Sequence, residues 1–204
     1  MGQYVKQPKV TVEYQLRIQI DSFRDFKDDR TYVISGAVGP SYGCILHSSI
    51  VGCKIVFPED DFPWIDLRHR VFDTKEKIDD FVTPEISKAG LMPEVLEKVE
   101  ETKKLVGDLL EVKIMGRNGS PLQMAAYTRG ISQLIRDMYT DPPIVHKLMR
   151  KMVDVCDKIN RYYETEWGEP YEGREEGRFY DNPPLLLLTE AYRGICPPIL
   201  SRVR

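Results

Sequence analysis

An α/β fold with a parallel sheet is what the sequence predicts, and three observations predict it. Short extended stretches alternate with helical patterns along the chain. Two of the helical segments open on strong start signals, Ser120–Pro121 and Asp141–Pro142. Glycine- or proline-rich loops follow the extended stretches at 36–43, 116–121 and 180–182. In such folds ligands bind beyond the carboxyl ends of the strands, so these three loops are where a site is expected.

The elements follow in order. "KVTVEYQLRIQI" alternates well enough for a strand, with a helix as the alternative. "TYVISGAVG" is a strand that breaks at Gly36. "CILHSSIVGCKIVF" reads as a short helix and then a strand. "PEDDFPWID" is an acidic, proline-bounded loop that Trp64 is expected to pin down. "DTKEKIDDFVTPE" is a short helix capped by Asp73 or Thr74. "MPEVLEKVEETKKLVGD" is a helix with Pro93 in its first turn, ended by Gly107. "LLEVKIMG" is a buried strand, and "SPLQMAAYTRGISQLIRDMYT" one helix from a Ser120 cap. The next helix carries an apolar stripe of Ile144, Leu148, Met152, Val155 and Ile159. "RFYDN" is a short strand, and a final helix starts near "LTEAYRG".

Composition narrows the function classes. The chain has 204 residues, 42% hydrophobic and 30% charged, with a net charge of -3. This fits one globular domain. A pI near 5.7 and the lack of a basic stripe argue against nucleic acid. The longest apolar run, "PPLLLL" at 183–188, is far short of the ~18 residues of a membrane span. The N-terminus lacks the apolar core of a signal peptide. Cys44, Cys53, Cys156 and Cys196 match no zinc-finger spacing and read as reduced thiols of a cytoplasmic protein.

The stretch "GSPLQMAAYTRGISQLIRDMYTDPPIVHKLMRKMVDVCDKINRYYETEWG" resembles the middle of the uroporphyrinogen decarboxylase superfamily. The points of likeness are the Gly-x-Pro turn, a helix carrying Tyr and then Gly, and an Asp-Pro that opens a long helix with "VHKLM". Upstream "GCKIVFPEDDFPWID" and downstream "YDNPPLLLLTEAYRGICPPIL" extend the likeness over residues 32–200, leaving 1–31 as an N-terminal extension and 32–204 as part of a barrel. The resemblance implies a (β/α)8 TIM barrel. A complete barrel needs about 250 residues, so the expectation is an incomplete barrel lacking its C-terminal strands. Such a piece calls for a complementary half-barrel chain or a homo-oligomer to cover its open edges.

The superfamily holds two chemistries, and the residues discriminate between them. Decarboxylases hold substrate carboxylates with an Arg-Gln-Ala-Gly-Arg motif and use an Asp in a Phe-Ser-Asp-Ile stretch. Arg17, Arg24 and Arg30 do not form that motif, and the expected acid falls at Gly43 or Cys44. The missing motifs favour corrinoid-linked methyl transfer, by a methyltransferase or demethylase component that works with a corrinoid protein on a small-molecule substrate. Tetrapyrrole decarboxylation in porphyrin biosynthesis is the alternative, and a non-catalytic barrel piece the second. The methyltransferase relatives bind zinc. No cofactor is visible in this chain, and zinc is expected only with ligands from a C-terminal half.

Candidate residues fall at the strand ends. Asp181, after a short strand, is a natural acid or base, or else a turn residue. Tyr127 lies six residues after Pro121, where the resemblance places an active-site Tyr. Arg117 and Asn118 are placed to contact a substrate carboxylate or amide, or serve the turn alone. Glu59, Asp60 and Trp64 could receive a cation or a positive partner, against the bland reading of a solvated loop. His47 lies near the glycine-rich loop, where a lone His is more often structural.

Overall fold

The computed structural model describes residues 7–25, 37–59, 61–115 and 119–167. Within them lie α1 (Pro8–Asp25), β1 (Ala37–Val38), α2 (Ile45–Ile50), β2 (Ile55–Val56), β3 (Trp64–Ile65) and α3 (Lys75–Asp80). After these come α4 (Met92–Val106), β4 (Glu111–Val112), α5 (Pro121–Arg129), α6 (Ile131–Thr140) and α7 (Pro142–Trp167). The class is α/β, rich in helix and with few, short strands. The chain divides into two compact units, Met1–His69 with Pro84–Gly119, and Arg70–Thr83 with Ser120–Arg204.

In the first unit β1 and β4 pair in parallel, Ala37 with Glu111 and Val38 with Val112, and a parallel bridge joins Ser41 to Met115. The parallel pairing agrees with the sequence. The second pair does not: β2 and β3 form an antiparallel hairpin, Ile55 opposite Ile65 and Val56 opposite Trp64. The connection between them is too short for a helical crossover, and only an antiparallel partner can then be reached.

The alternating segment expected as a first strand is instead the helix α1. Its role explains why a helix wins. Even-numbered backbone positions of the first strand face β4, with the Lys113 amide donating to Val38 and the Met115 amide to Pro40. Odd positions face α1. Gln15 donates to the Gly39 carbonyl at 2.8 Å and accepts from the Gly39 amide at 2.9 Å, and Gln19 donates to the Ala37 carbonyl at 3.3 Å. Glutamine side chains four apart on one helix face thus close an open sheet edge. Val12 of α1 packs with Val38 and Val106, flanked by Leu16, Leu110 and Val112.

In the second unit α7 presents the predicted stripe. Ile144, Leu148, Met152, Val155 and Ile159 are all buried, joined by Val145, Cys156 and Tyr163. Spacings of three and four residues put them on one face, which packs against α5 and α6. The Lys151 ammonium donates to the carbonyls of Asp79 and Phe81 at 2.8 and 2.6 Å, satisfying the open C-terminal end of α3.

The single helix expected from Ser120 onward is broken in two. Gly130, with φ 83°, separates α5 from α6. A Cβ there would meet Arg70 Nε at 2.7 Å. The break is locked by Arg129, whose Nε donates to Asp137 at 2.7 Å across the two helices. The start of α5 is as predicted: the Ser120 hydroxyl accepts from the Gln123 amide at 3.1 Å, and Pro121 follows. Replacing Ser120 with alanine removes this cap, and urea unfolding should register a loss of about 1 kcal/mol.

Candidate functional site

The carboxyl ends of β1 and β4 lie side by side in the first unit because the pair is parallel. Gly39 allows the approach there: a Cβ on it would lie 1.9 Å from the Lys113 carbonyl oxygen. From the end of the first strand the chain turns directly into α2, every residue of which is buried. Two glycines let that short helix fit. At Gly90, with φ 54°, a Cβ would meet the Ser49 backbone at 2.4 Å, and at Gly119 it would meet His47 Nδ1 at 2.2 Å. The Ser49 hydroxyl donates to Leu46 O at 2.7 Å and accepts from the Leu91 amide at 3.0 Å, fixing α2 against the start of α4.

His47 is therefore a buried imidazole, 3% exposed, lying against Gly119. Two of the sequence-derived features, the histidine and the glycine-rich turn, come together through Gly119. Arg117 and Asn118, one step upstream, lie outside the described residues, as do Asp60 and Asp181. In Gly119→Ala the new methyl would have to displace the His47 ring. We expect the His47 imidazole signals to shift in the NMR spectrum and stability to fall by about 1–3 kcal/mol.

A second pair was not legible in the sequence. The Tyr42 hydroxyl donates to Glu94 Oε1 at 2.7 Å, joining residues 52 apart in the chain. Burial, and then the Glu94 carboxylate, push the Tyr42 phenol far above its ordinary range, so it stays protonated. Tyr42 precedes Gly43 and Cys44, where the expected decarboxylase acid is missing. The tertiary structure thus brings a carboxylate to a neighbourhood that has none locally. Only the coincidence of a tyrosine in the loop and a glutamate in the first turn of α4 could have hinted at it.

The hairpin residues behave differently. Glu59 is exposed, and Trp64 is 47% exposed rather than pinned down as expected. Alternation explains it: Ile65 takes the inward face and is buried, which turns Trp64 outward. The polar residue that is buried here is Asp66, just after β3, 5% exposed. It accepts from Arg68 Nε at 2.8 Å and contacts His69 Nδ1 at 2.8 Å. The Arg68 hydrogen bonds, opposed by burial and aided by His69, hold its carboxyl well below the usual range. A depressed carboxyl stabilises the fold above its unfolded pKa of about 4, and the contribution is lost as pH falls through the folded value. Urea midpoints taken from pH 6 downward should fall more steeply in the native protein than in Asp66→Asn.

In the second unit Tyr127 is half-buried on α5 and accepts a hydrogen bond from Gln123 Nε2 at 3.2 Å. Cys44, Cys53 and Cys156 are free thiols, and burial pushes those of Cys53 and Cys156 up to about 12. Among the described residues no group of three or more His, Cys, Asp or Glu is placed to hold a metal ion. Among them also, no helix is long and apolar enough to cross a membrane.

No curated protein matches the chain. Among solved structures, the chain is similar to a methyltransferase from Methanosarcina mazei, with a TM-score of 0.49 and 14% identity over 74% of this chain. The match covers 42% of that protein, so the chain spans less than half of its length. The family model described as uroporphyrinogen decarboxylase (URO-D) matches residues 11–163, from the first turn of α1 nearly to the end of α7. That match takes in both strand ends, His47, Gly119 and Tyr127, and its family implies a TIM barrel. The chain belongs to the uroporphyrinogen decarboxylase (URO-D) family.

Proposed function

We propose that this chain supplies the strand-end rim of a methyl-transfer enzyme that works with a corrinoid protein. One observation carries the preference over decarboxylation. Where the resemblance places the decarboxylase acid, the chain has Gly43, with φ 54°, and Cys44 at the start of α2. Neither can stabilise a pyrrole cation as a carboxylate does. The chain's own share is to bind and orient the methyl acceptor. His47 lies against Gly119, and Arg117 and Asn118, by residue type, suit a substrate carboxylate or amide. Tyr127 and Asp181 are the proposed proton carriers. The described residues do not provide zinc ligands, and thiol activation by zinc would depend on donors outside them.

The test is a paired assay of the protein in its complete assembly. Methylcobalamin is supplied with a thiol acceptor, and the cobalamin spectrum and methylated thiol are followed. Uroporphyrinogen is supplied separately, and carbon dioxide is measured. Methyl transfer without decarboxylation is the expected outcome, and the reverse overturns the reading. The second reading, decarboxylation, is favoured by the Glu94 carboxylate that tertiary folding brings to Tyr42. If it holds, Glu94→Gln should abolish carbon dioxide release.

A further inference from the structure

Asp66, Arg68 and His69 form a cluster that the strand-end site does not use. The carboxylate is buried, with a side chain 4% exposed, while its partners are open, Arg68 at 82% and His69 at 62%. Asp66 Oδ1 accepts from the Arg68 backbone amide at 3.2 Å and from Arg68 Nε at 2.8 Å. Oδ2 accepts from Arg68 Nη2 at 3.1 Å and meets His69 Nδ1 at 2.8 Å. The His69 amide also donates to the Asp66 carbonyl at 3.0 Å, so the imidazole is fixed from two directions.

These contacts decide what the outer side offers. An ionised carboxylate only accepts, so His69 carries its hydrogen on Nδ1. Nε2, on the far edge of the ring, is then a proton acceptor. Arg68 spends Nε and one Nη2 hydrogen on Asp66, which leaves the outer guanidinium hydrogens as donors. A cationic donor fork and a proton acceptor are therefore both anchored to one buried carboxylate.

We propose that Asp66, Arg68 and His69 form a binding site for a phosphate group that carries an exchangeable proton, as in inorganic phosphate or a phosphate monoester. The proton is what discriminates. A phosphate monoester has its second ionisation near 6, so around neutral pH it still offers a hydroxyl donor beside its acceptor oxygens. The P–OH donates to Nε2, the acceptor that the Asp66 contact leaves on the outer edge of the ring. The remaining oxygens accept from Arg68, whose fork suits phosphate geometry. Sulfate and simple carboxylates offer only acceptors at neutral pH and leave a neutral Nε2 without a donor. No covalent bond is made or broken. The site stands independently of the methyl-transfer reading.

The experiment is an NMR titration of the full, isotopically labelled chain, following the His69 ring nitrogens. Inorganic phosphate, glycerol phosphate and sulfate are added in parallel. We expect saturable movement of Nε2 with both phosphates and binding of sulfate weaker by about tenfold, the worth of one charged hydrogen bond. Tighter binding of glycerol phosphate than of inorganic phosphate assigns a monoester ligand, and equal binding assigns phosphate itself. Arg68→Gln, on an exposed side chain, should keep the backbone spectrum and weaken phosphate by about tenfold. A still His69, equal binding of sulfate and phosphate, or an Arg68→Gln variant that binds as before would each overturn the proposal.

Discussion

Replacing Arg129 with methionine should destabilise the protein by about 3–5 kcal/mol. Both side chains of the Arg129–Asp137 pair are 5% exposed, and the Nε to Oδ2 distance is 2.7 Å. The guanidinium also donates to the Phe72 carbonyl at 2.8 Å and the Asp73 carbonyl at 3.1 Å. The variant leaves the Asp137 carboxylate buried, still accepting from Gln133 Nε2 at 2.7 Å but without its guanidinium. It also strips two carbonyls of their donor. The cost of an uncompensated buried charge dominates the gain from a well-packed apolar side chain. The paired variant Arg129→Met with Asp137→Leu should recover a large part of the loss, because neither charge then remains. Arg129→Lys should fall between, since a lysine keeps the charge and loses the fork. Urea unfolding followed by circular dichroism ranks all four proteins. A paired variant no more stable than Arg129→Met alone would show that the carbonyl contacts, not the buried charge, set the cost.

Gly39→Ala should cost about 2–3 kcal/mol and open the strand pair at the candidate site. The added methyl would stand 1.9 Å from the Lys113 carbonyl oxygen, and that atom is backbone, not the end of a flexible side chain. It cannot yield without disturbing the adjacent ladder, in which the Lys113 amide donates to Val38 at 3.0 Å. Gly39 also exchanges two hydrogen bonds with Gln15, so a shift loosens α1 as well. Hydrogen exchange should quicken at the amides of Lys113 and Met115 together. Exchange that quickens along α1 alone would mean that the strands tolerate the methyl and that the Gln15 contact is what the glycine protects.

Where the chemistry of a boundary is local, the sequence determined the structure. Thr74, one of the two capping candidates read from the sequence, caps α3, and Ser120 caps α5 and Gly107, at φ 56°, ends α4 as read from residue type and position. The stripe on α7 is buried as predicted because a 26-residue helix fixes its own periodicity. Family membership was legible for a related reason: it rests on the order and spacing of turns and helices, which a linear chain carries. Tertiary structure decided the rest. α1 is a helix because its glutamines satisfy the edge of β1, a partner that lies far along the chain. One expected helix became two because the Arg129–Asp137 pair and Arg70 close on Gly130, and neither contact is visible in a local window. Trp64 faces outward because Ile65 took the core. The contacts of Tyr42 with Glu94 and of His47 with Gly119 join residues 52 and 72 apart, and only packing could bring them together.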